Sequence, residues 1–190
     1  MKIAVIYGSN RTERQGIKAA RFILNKLKER GLDTEFVDSM VFKLPLLDKM
    51  HKEYPVGEAP EMMEKLHVIL KDADGFVIVS GEYNHSVPPA LKNLLDHFQS
   101  EYFFKPSAIV SYSAGAFGGL RAAVHLRALL AELGMPSIPS IFPVPAVQDS
   151  FDDDGKALDE NFNKWVVRFI DEFQWYLSAF RSQREKGLPY

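Results

Sequence analysis

Cysteine is absent from all 190 residues, which excludes disulfides, thiolate metal ligation and thiol nucleophiles at the outset. A strong charge of either sign is missing too. Twenty-three Lys and Arg against 25 Asp and Glu leave a formal −2, which provides no footprint for nucleic acid or an anionic membrane. No apolar run approaches the roughly 18 residues that a bilayer crossing needs. The chain opens on a core-strand pattern at Lys2 with no secretory-type leader, so the expectation is a soluble, cytoplasmic protein. The five histidines (51, 67, 85, 97 and 125) show no spacing such as His-Glu-x-x-His and read as surface or packing residues, with no metal. The acidic run at residues 152–154 is too short for a twelve-residue calcium loop and reads as a solvated turn.

What is present is ordinary globular material: 46% hydrophobic and 25% charged residues, enough for one domain over residues 1–190 with a substantial core. Short apolar runs at residues 2–7, 34–37, 75–80 and 107–111, with a weaker one at 136–141, read as strands. Helical spacing lies between them: Ile17, Ala20, Leu24 and Leu27; then Met62, Leu66, Ile69 and Leu70; then Leu91, Leu94, Leu95 and Phe98 after Pro88 and Pro89. A fourth pattern carries Leu120, Val124, Arg127, Leu130 and Leu133. The last and cleanest runs from Phe162 through Trp165, Val166, Phe169, Ile170, Phe173 and Leu177 to Phe180, a core or subunit-interface stripe. Continuous strand hydrophobicity indicates a parallel sheet covered on both faces. The expected fold is therefore α/β, a three-layer doubly wound sandwich. Five strands and the missing Gly-x-Gly-x-x-Gly fingerprint favour the order 2-1-3-4-5 over the six-stranded dinucleotide type.

In such sheets a ligand sits beyond the carboxyl ends of the strands, where the strand order reverses. Three segments fall there. Tyr7-Gly8-Ser9-Asn10-Arg11-Thr12-Glu13-Arg14-Gln15-Gly16 joins the first strand to the first helix and sets hydroxyl, amide and guanidinium groups at a helix amino end, a ready phosphate site. Ser80-Gly81-Glu82-Tyr83-Asn84-His85-Ser86-Val87-Pro88-Pro89 supplies an aromatic face and an amide suited to a planar heterocycle, or an ordinary turn capped by Ser86. Ser111-Tyr112-Ser113-Ala114-Gly115-Ala116-Phe117-Gly118-Gly119-Leu120-Arg121 spends three glycines in five residues, which lets backbone approach a flat ligand. Its first five residues are also a near miss to a hydrolase nucleophile elbow. Only His125 follows Ser113, and no triad assembles.

With those residues in view, the chain resembles the NAD(P)H-dependent FMN reductase family, flavodoxin-like oxidoreductases that include quinone, azo-dye and chromate reductases. The resemblance runs nearly end to end. It rests on Gly8-Ser9-Asn10-Arg11 with Arg14 and Gly16, on Glu82 through Pro88 with Leu91-Lys92-Asn93 and Asp96, on Ser113 through Arg121, and on Phe151-Asp152-Asp153-Asp154-Gly155. Gly81 departs from it, because the family usually has proline there.

The resemblance implies FMN as cofactor, NADPH or NADH as donor, and a small-molecule acceptor such as a quinone, azo compound or flavin. Ser9, Arg11, Gln15, Gly16 and Ile17 would surround the phosphate. Glu82, Tyr83, Asn84 and Ser86 would line the ring and ribityl chain. Ser113, Gly115, Phe117, Gly118 and Gly119 would flank the pyrimidine side, with Arg121 nearby. It also implies ping-pong turnover with no obligate catalytic side chain, and a homodimer or homotetramer built on the aromatic-rich third and last helices. The alternative is an FMN-binding electron carrier, or a flavin-dependent regulatory module without nicotinamide turnover. A net charge of −2 does not supply the acidic docking surface that a carrier usually has.

Overall fold

The computed structural model describes residues 1–190. Five strands, β1 (Lys2–Tyr7), β2 (Asp33–Asp38), β3 (Gly75–Gly81), β4 (Ser107–Tyr112) and β5 (Ser137–Val144), form one sheet in the order β2-β1-β3-β4-β5. Every pairing is parallel. The expected fold class and strand order are thus observed.

Six helices cover the sheet: α1 (Gly16–Glu29), α2 (Glu61–Asp72), α3 (Pro89–Asp96), α4 (Leu120–Glu132), the single turn α5 (Val147–Ser150) and α6 (Glu160–Arg184). Alternation along the strands decides which helix each residue meets. Ile3, Val5 and Tyr7 of β1 join Val77 and Val79 of β3 under α1 and α6. Ala4 and Ile6 join Phe76 and Ile78 on the opposite face, against α2, α3 and α4. Both faces are buried, which explains why these strands are apolar throughout rather than at alternate positions. No helix is long and apolar enough to cross a membrane.

Helix α6 buries Phe162, Val166, Phe169, Ile170, Phe173 and Leu177 as its pattern predicts, while Trp165 stays exposed. The α4 pattern needs correction. Leu120 and Val124 are exposed, and the buried face is Ala122, Ala123, Leu126 and Leu130. Small residues face the sheet there because the helix packs closely on β4. Helix α3 ends at Asp96, so Phe98 packs into the core from the following turn rather than from the helix. In α2, Met63 rather than Met62 is buried.

The sheet brings the loops after β1, β3 and β4 side by side. Tyr7 pairs in register with Val79, and Gly81 with Tyr112. Three carboxyl ends therefore lie together on the side where β1 and β3 diverge towards opposite edges.

Candidate active site

The first loop carries a run of unsatisfied donors. None of the backbone N–H groups of Ser9 through Gly16 donates to a protein acceptor. Helix α1 then starts on Gln15 with no side-chain cap. Free N–H groups at the positive end of a helix dipole make an anion site.

Two arginines in this loop have different work. Arg14 donates through Nη1 and Nη2 to Asp38 Oδ1 (2.5 Å) and Oδ2 (2.6 Å), and through Nη1 to the Ser9 carbonyl (3.0 Å). It also lies over the Tyr7 ring, 5.2 Å from the centroid. Its bidentate bond to Asp38 raises its pKa above the ordinary arginine value. Arg14 therefore ties the loop to the end of β2. Arg11 is exposed and makes no ion pair, so its guanidinium is the one available to an incoming anion.

The second loop is a tight hairpin. Tyr83 N donates to the Ser86 carbonyl (3.0 Å) and Ser86 N to the Tyr83 carbonyl (2.9 Å). Between them Asn84 and His85 hold φ of 48° and 64°, the conformation of a two-residue turn with both central residues left-handed. Asparagine tolerates that region, and histidine adopts it at some cost. Gly81 does not make the turn; it is the last residue of β3, paired in register with Tyr112.

Glu82 is engaged elsewhere. Its Oε2 accepts from Arg121 N (3.1 Å) and Ala122 N (3.3 Å), capping α4, whose own start at Gly119 offers no side chain. Arg121 Nη1 lies 3.7 Å from Oε1. One carboxylate thus pins the second loop to the third.

In the third loop Gly118 and Gly119 have φ of 58° and 74°. A Cβ on Gly119 would lie 2.6 Å from the Tyr112 carbonyl oxygen, so both conformation and space demand glycine there. Gly115 has open space around it. Ser113 Oγ donates to the Gly115 carbonyl (3.0 Å), and His125 Nδ1 faces Ser86 Oγ (3.2 Å) rather than Ser113. No nucleophile–base pair forms.

Together these loops and α5 enclose a cleft of about 290 Å³ lined by Ser9, Arg11, Glu13, Arg14, Gln15, Gly16, Gly81, Glu82, Tyr83, Tyr112, Ser113, Ala114, Val147 and Gln148. Seven of the residues expected from the sequence line it: Ser9, Arg11, Gln15, Gly16, Glu82, Tyr83 and Ser113. Ile17, Asn84, Ser86, Gly115, Phe117, Gly118 and Gly119 lie outside it. Phe117 instead lines a neighbouring apolar groove of about 760 Å³ with Leu120, Pro143, Pro145 and Trp165.

Tyr112, with Val147 and Gln148 of α5, is a lining residue that sequence reasoning missed. Its ring lies so close to the first and second loops that a Cβ on Gly16 would fall 2.1 Å from Cζ, and one on Gly81 3.0 Å. The two glycines make room for a tyrosine, which gives the departure at Gly81 a physical reason. Burial raises the Tyr7 and Tyr112 phenols above their ordinary range, so both are neutral at neutral pH. Tyr7 Oη is buried with no hydrogen-bond partner, next to Tyr112 and Arg14 of the cleft lining.

A family model described as NADPH-dependent FMN reductase matches residues 1–149. A quinone reductase from Pseudomonas putida is 32% identical over 188 residues, covering 95% of this chain and 96% of its own length. An NADPH azoreductase from a Bacillus species is 27% identical, covering 98% of each chain. Among solved structures, a flavoenzyme NAD(P)H:(acceptor) oxidoreductase from Paracoccus denitrificans superposes with a TM-score of 0.75 at 24% identity, covering 94% of this chain and 98% of that one. The last likeness is one of fold.

Proposed function

Because the chain belongs to the NADPH-dependent FMN reductase family, we propose that it is an FMN-containing oxidoreductase, one domain over residues 1–190, whose cofactor lies at the cleft beyond β1, β3 and β4. The observation that carries this reading is the unpaired run of N–H donors from Ser9 to Gly16 with the free Arg11 beside it. An anionic group of the kind that ends FMN would satisfy those donors, and the orphaned Tyr7 hydroxyl would add a polar atom beside the same loop. The donor set fits.

Bound FMN would supply two-electron chemistry, taking a hydride from NADPH or NADH and passing two electrons to a quinone, azo compound or flavin in ping-pong order. The protein's part is to bind and orient. Ser9, Arg11, Gln15 and Gly16 of the cleft lining, with Ile17 on the first turn of α1 behind them, would surround the phosphate. Glu82, Tyr83, Asn84 and Ser86 would line the ring and ribityl chain, with Glu82 also holding that hairpin against α4. Ser113 at the cleft, with Gly115, Phe117, Gly118 and Gly119 of the same loop beyond it, would flank the pyrimidine side, where N–H donors favour negative charge. No side chain is assigned as acid or base.

The test is steady-state oxidation of NADPH and NADH by FMN-loaded protein with a quinone. Initial rates at several fixed quinone concentrations should give parallel double-reciprocal lines. Retained flavin with no turnover would instead favour the carrier or regulatory module.

We also propose a homodimer or homotetramer. Exposed Phe117, Leu120, Val124 and Trp165 favour the face formed by α4 and α6, whereas α3 exposes no large apolar side chain. Light scattering at micromolar concentration should give a multiple of 21.5 kDa; a monomer there would count against it.

A further inference from the structure

Tyr112 ends β4, but its ring packs against residues of the other two cleft loops. A Cβ on Gly16 would fall 2.1 Å from Cζ and 2.5 Å from both Cε atoms. A Cβ on Gly81 would lie 3.1 Å from Oη itself. The phenol tip is therefore held between the end of β3 and the start of α1, the helix end where the free N–H groups gather. Glycine at both positions leaves it that room.

Two more hydroxyls meet it there. Tyr7 lies beside it, with ring centroids 6.3 Å apart, and the Ser9 side chain is close enough to bias the ionisation of both phenols. Tyr7 is wholly buried, and its Oη has no hydrogen-bond partner, a condition shared among buried side-chain atoms with Thr34 Oγ1 alone. Tyr102 is the contrast: it is equally buried, yet its phenol donates to the Leu95 carbonyl at 3.2 Å. A buried hydroxyl without a partner is unfavourable and calls for a reason. Arg14 does not supply a partner, because both its terminal nitrogens are taken by Asp38 and the Ser9 carbonyl. Ser9, Arg14 and Tyr112 all line the cleft, so the orphaned hydroxyl is one side chain away from the ligand space.

On the FMN reading above, we propose that Tyr112 is a phosphate-selecting residue: its hydroxyl donates to the anionic end of the flavin, and Tyr7 donates to Tyr112 behind it. Each hydroxyl can donate one hydrogen bond and accept another. With an anion as acceptor at its open end, the two-phenol relay is complete and the Tyr7 proton has a place in it. Charge alone is scarce here. Arg14 is committed to Asp38, which leaves Arg11 as the free cation of the lining, and Glu13 adds a negative charge to the same lining. Neutral donors therefore carry part of the recognition. Burial keeps both phenols protonated at neutral pH, so both remain donors. An uncharged hydroxyl, such as the one that riboflavin carries in place of the phosphate, gains less from such donors than an anion does. The two tyrosines thus bear on the choice between phosphorylated and unphosphorylated flavin.

The experiment titrates flavin-free, full-length protein with FMN and with riboflavin, follows flavin fluorescence, and takes the ratio of the two dissociation constants as the phosphate selectivity. Tyr112→Phe keeps the ring that fills the space beside Gly16 and removes one oxygen. We expect it to raise the FMN Kd about 10- to 100-fold and to move the riboflavin Kd by less than about twofold. Tyr7→Phe should raise the FMN Kd by about 3- to 10-fold. Because it deletes a buried hydroxyl without a partner, its flavin-free form should melt no lower than the wild type. The double variant should match Tyr112→Phe alone, since Tyr7 acts through Tyr112. A Tyr112→Phe protein with wild-type selectivity, or one that loses FMN and riboflavin alike, would overturn the assignment and leave the reductase reading untouched. Wild-type protein with no preference for FMN over riboflavin would remove the phosphate cleft itself, so the two failures are told apart.

Discussion

Arg11 and Arg14 are three residues apart in one loop, and their removal should produce opposite phenotypes. Arg14 and Asp38 are only 17% and 6% exposed in their side chains and share two hydrogen bonds. In Arg14→Ala, Asp38 keeps just the Met40 N–H, 2.9 Å from Oδ1, to offset a buried negative charge. Leaving such a charge unpaired costs about 3–5 kcal/mol. For a chain of this length, each kcal/mol lowers Tm by about 2–4 °C, so the flavin-free variant should melt roughly 6–20 °C below the wild type. Removing Asp38 as well should restore part of the loss, because no charge is then stranded. Arg11→Ala removes an exposed group that supports nothing in the fold, and apo stability should change by no more than about 0.5 kcal/mol. Its loss should appear in FMN affinity. A charge-assisted hydrogen bond to phosphate contributes about 1.5–3 kcal/mol, so Kd should rise about 10- to 100-fold. Differential scanning fluorimetry on apo protein and fluorescence titration of FMN measure the two quantities separately. If apo Arg14→Ala melts with the wild type, or Arg11→Ala binds FMN unchanged, the division of labour described here is wrong.

Gly119→Ala should destabilise by about 2–4 kcal/mol in urea titration, since a left-handed backbone and a 2.6 Å clash with the Tyr112 carbonyl add up. Glu82→Ala strips two N–H groups at the start of α4 of their acceptor and should lower stability by about 1–2 kcal/mol; no change in the midpoint would deny the cap. Lys105 provides a pH test. Burial lowers its pKa to about 8 from 10.5, although Nζ still donates to the Leu70 and Lys71 carbonyls. Between those values the unfolded chain holds a proton that the folded chain has lost, so stability should rise with pH from about 8 until the buried tyrosines, raised in the folded state, reverse the trend. In Lys105→Met that rise should vanish from denaturation midpoints collected across pH 7.5–9.5.

Much of the architecture could be read from local pattern. Strand runs, helical spacing and the switch-point rule located the three cleft loops without coordinates, because backbone geometry ties apolar period to element type. The division of tasks within those loops could not be read that way. Glu82 lines the cleft with its loop, and its carboxylate also caps a helix whose start lies in another loop, a contact no local pattern announces. Tyr112 looks like the end of a strand, yet its ring fills the room left by Gly16 and Gly81. On α4 the hydrophobic pattern picked out Leu120 and Val124 because they are large, while close packing on the sheet selected Ala122 and Ala123 because they are small.

The sequence by itself settled the α/β class, the parallel sheet and the side of it on which the three loops gather, since each follows from spacing along the chain. Tertiary structure alone decided which arginine is free, which carboxylate is engaged, and that Tyr7 and Tyr112 meet at all. Hydrogen bonds and ion pairs form between atoms a few ångströms apart in space. Residues distant along the chain acquire such neighbours only when the sheet and its crossovers have set them side by side.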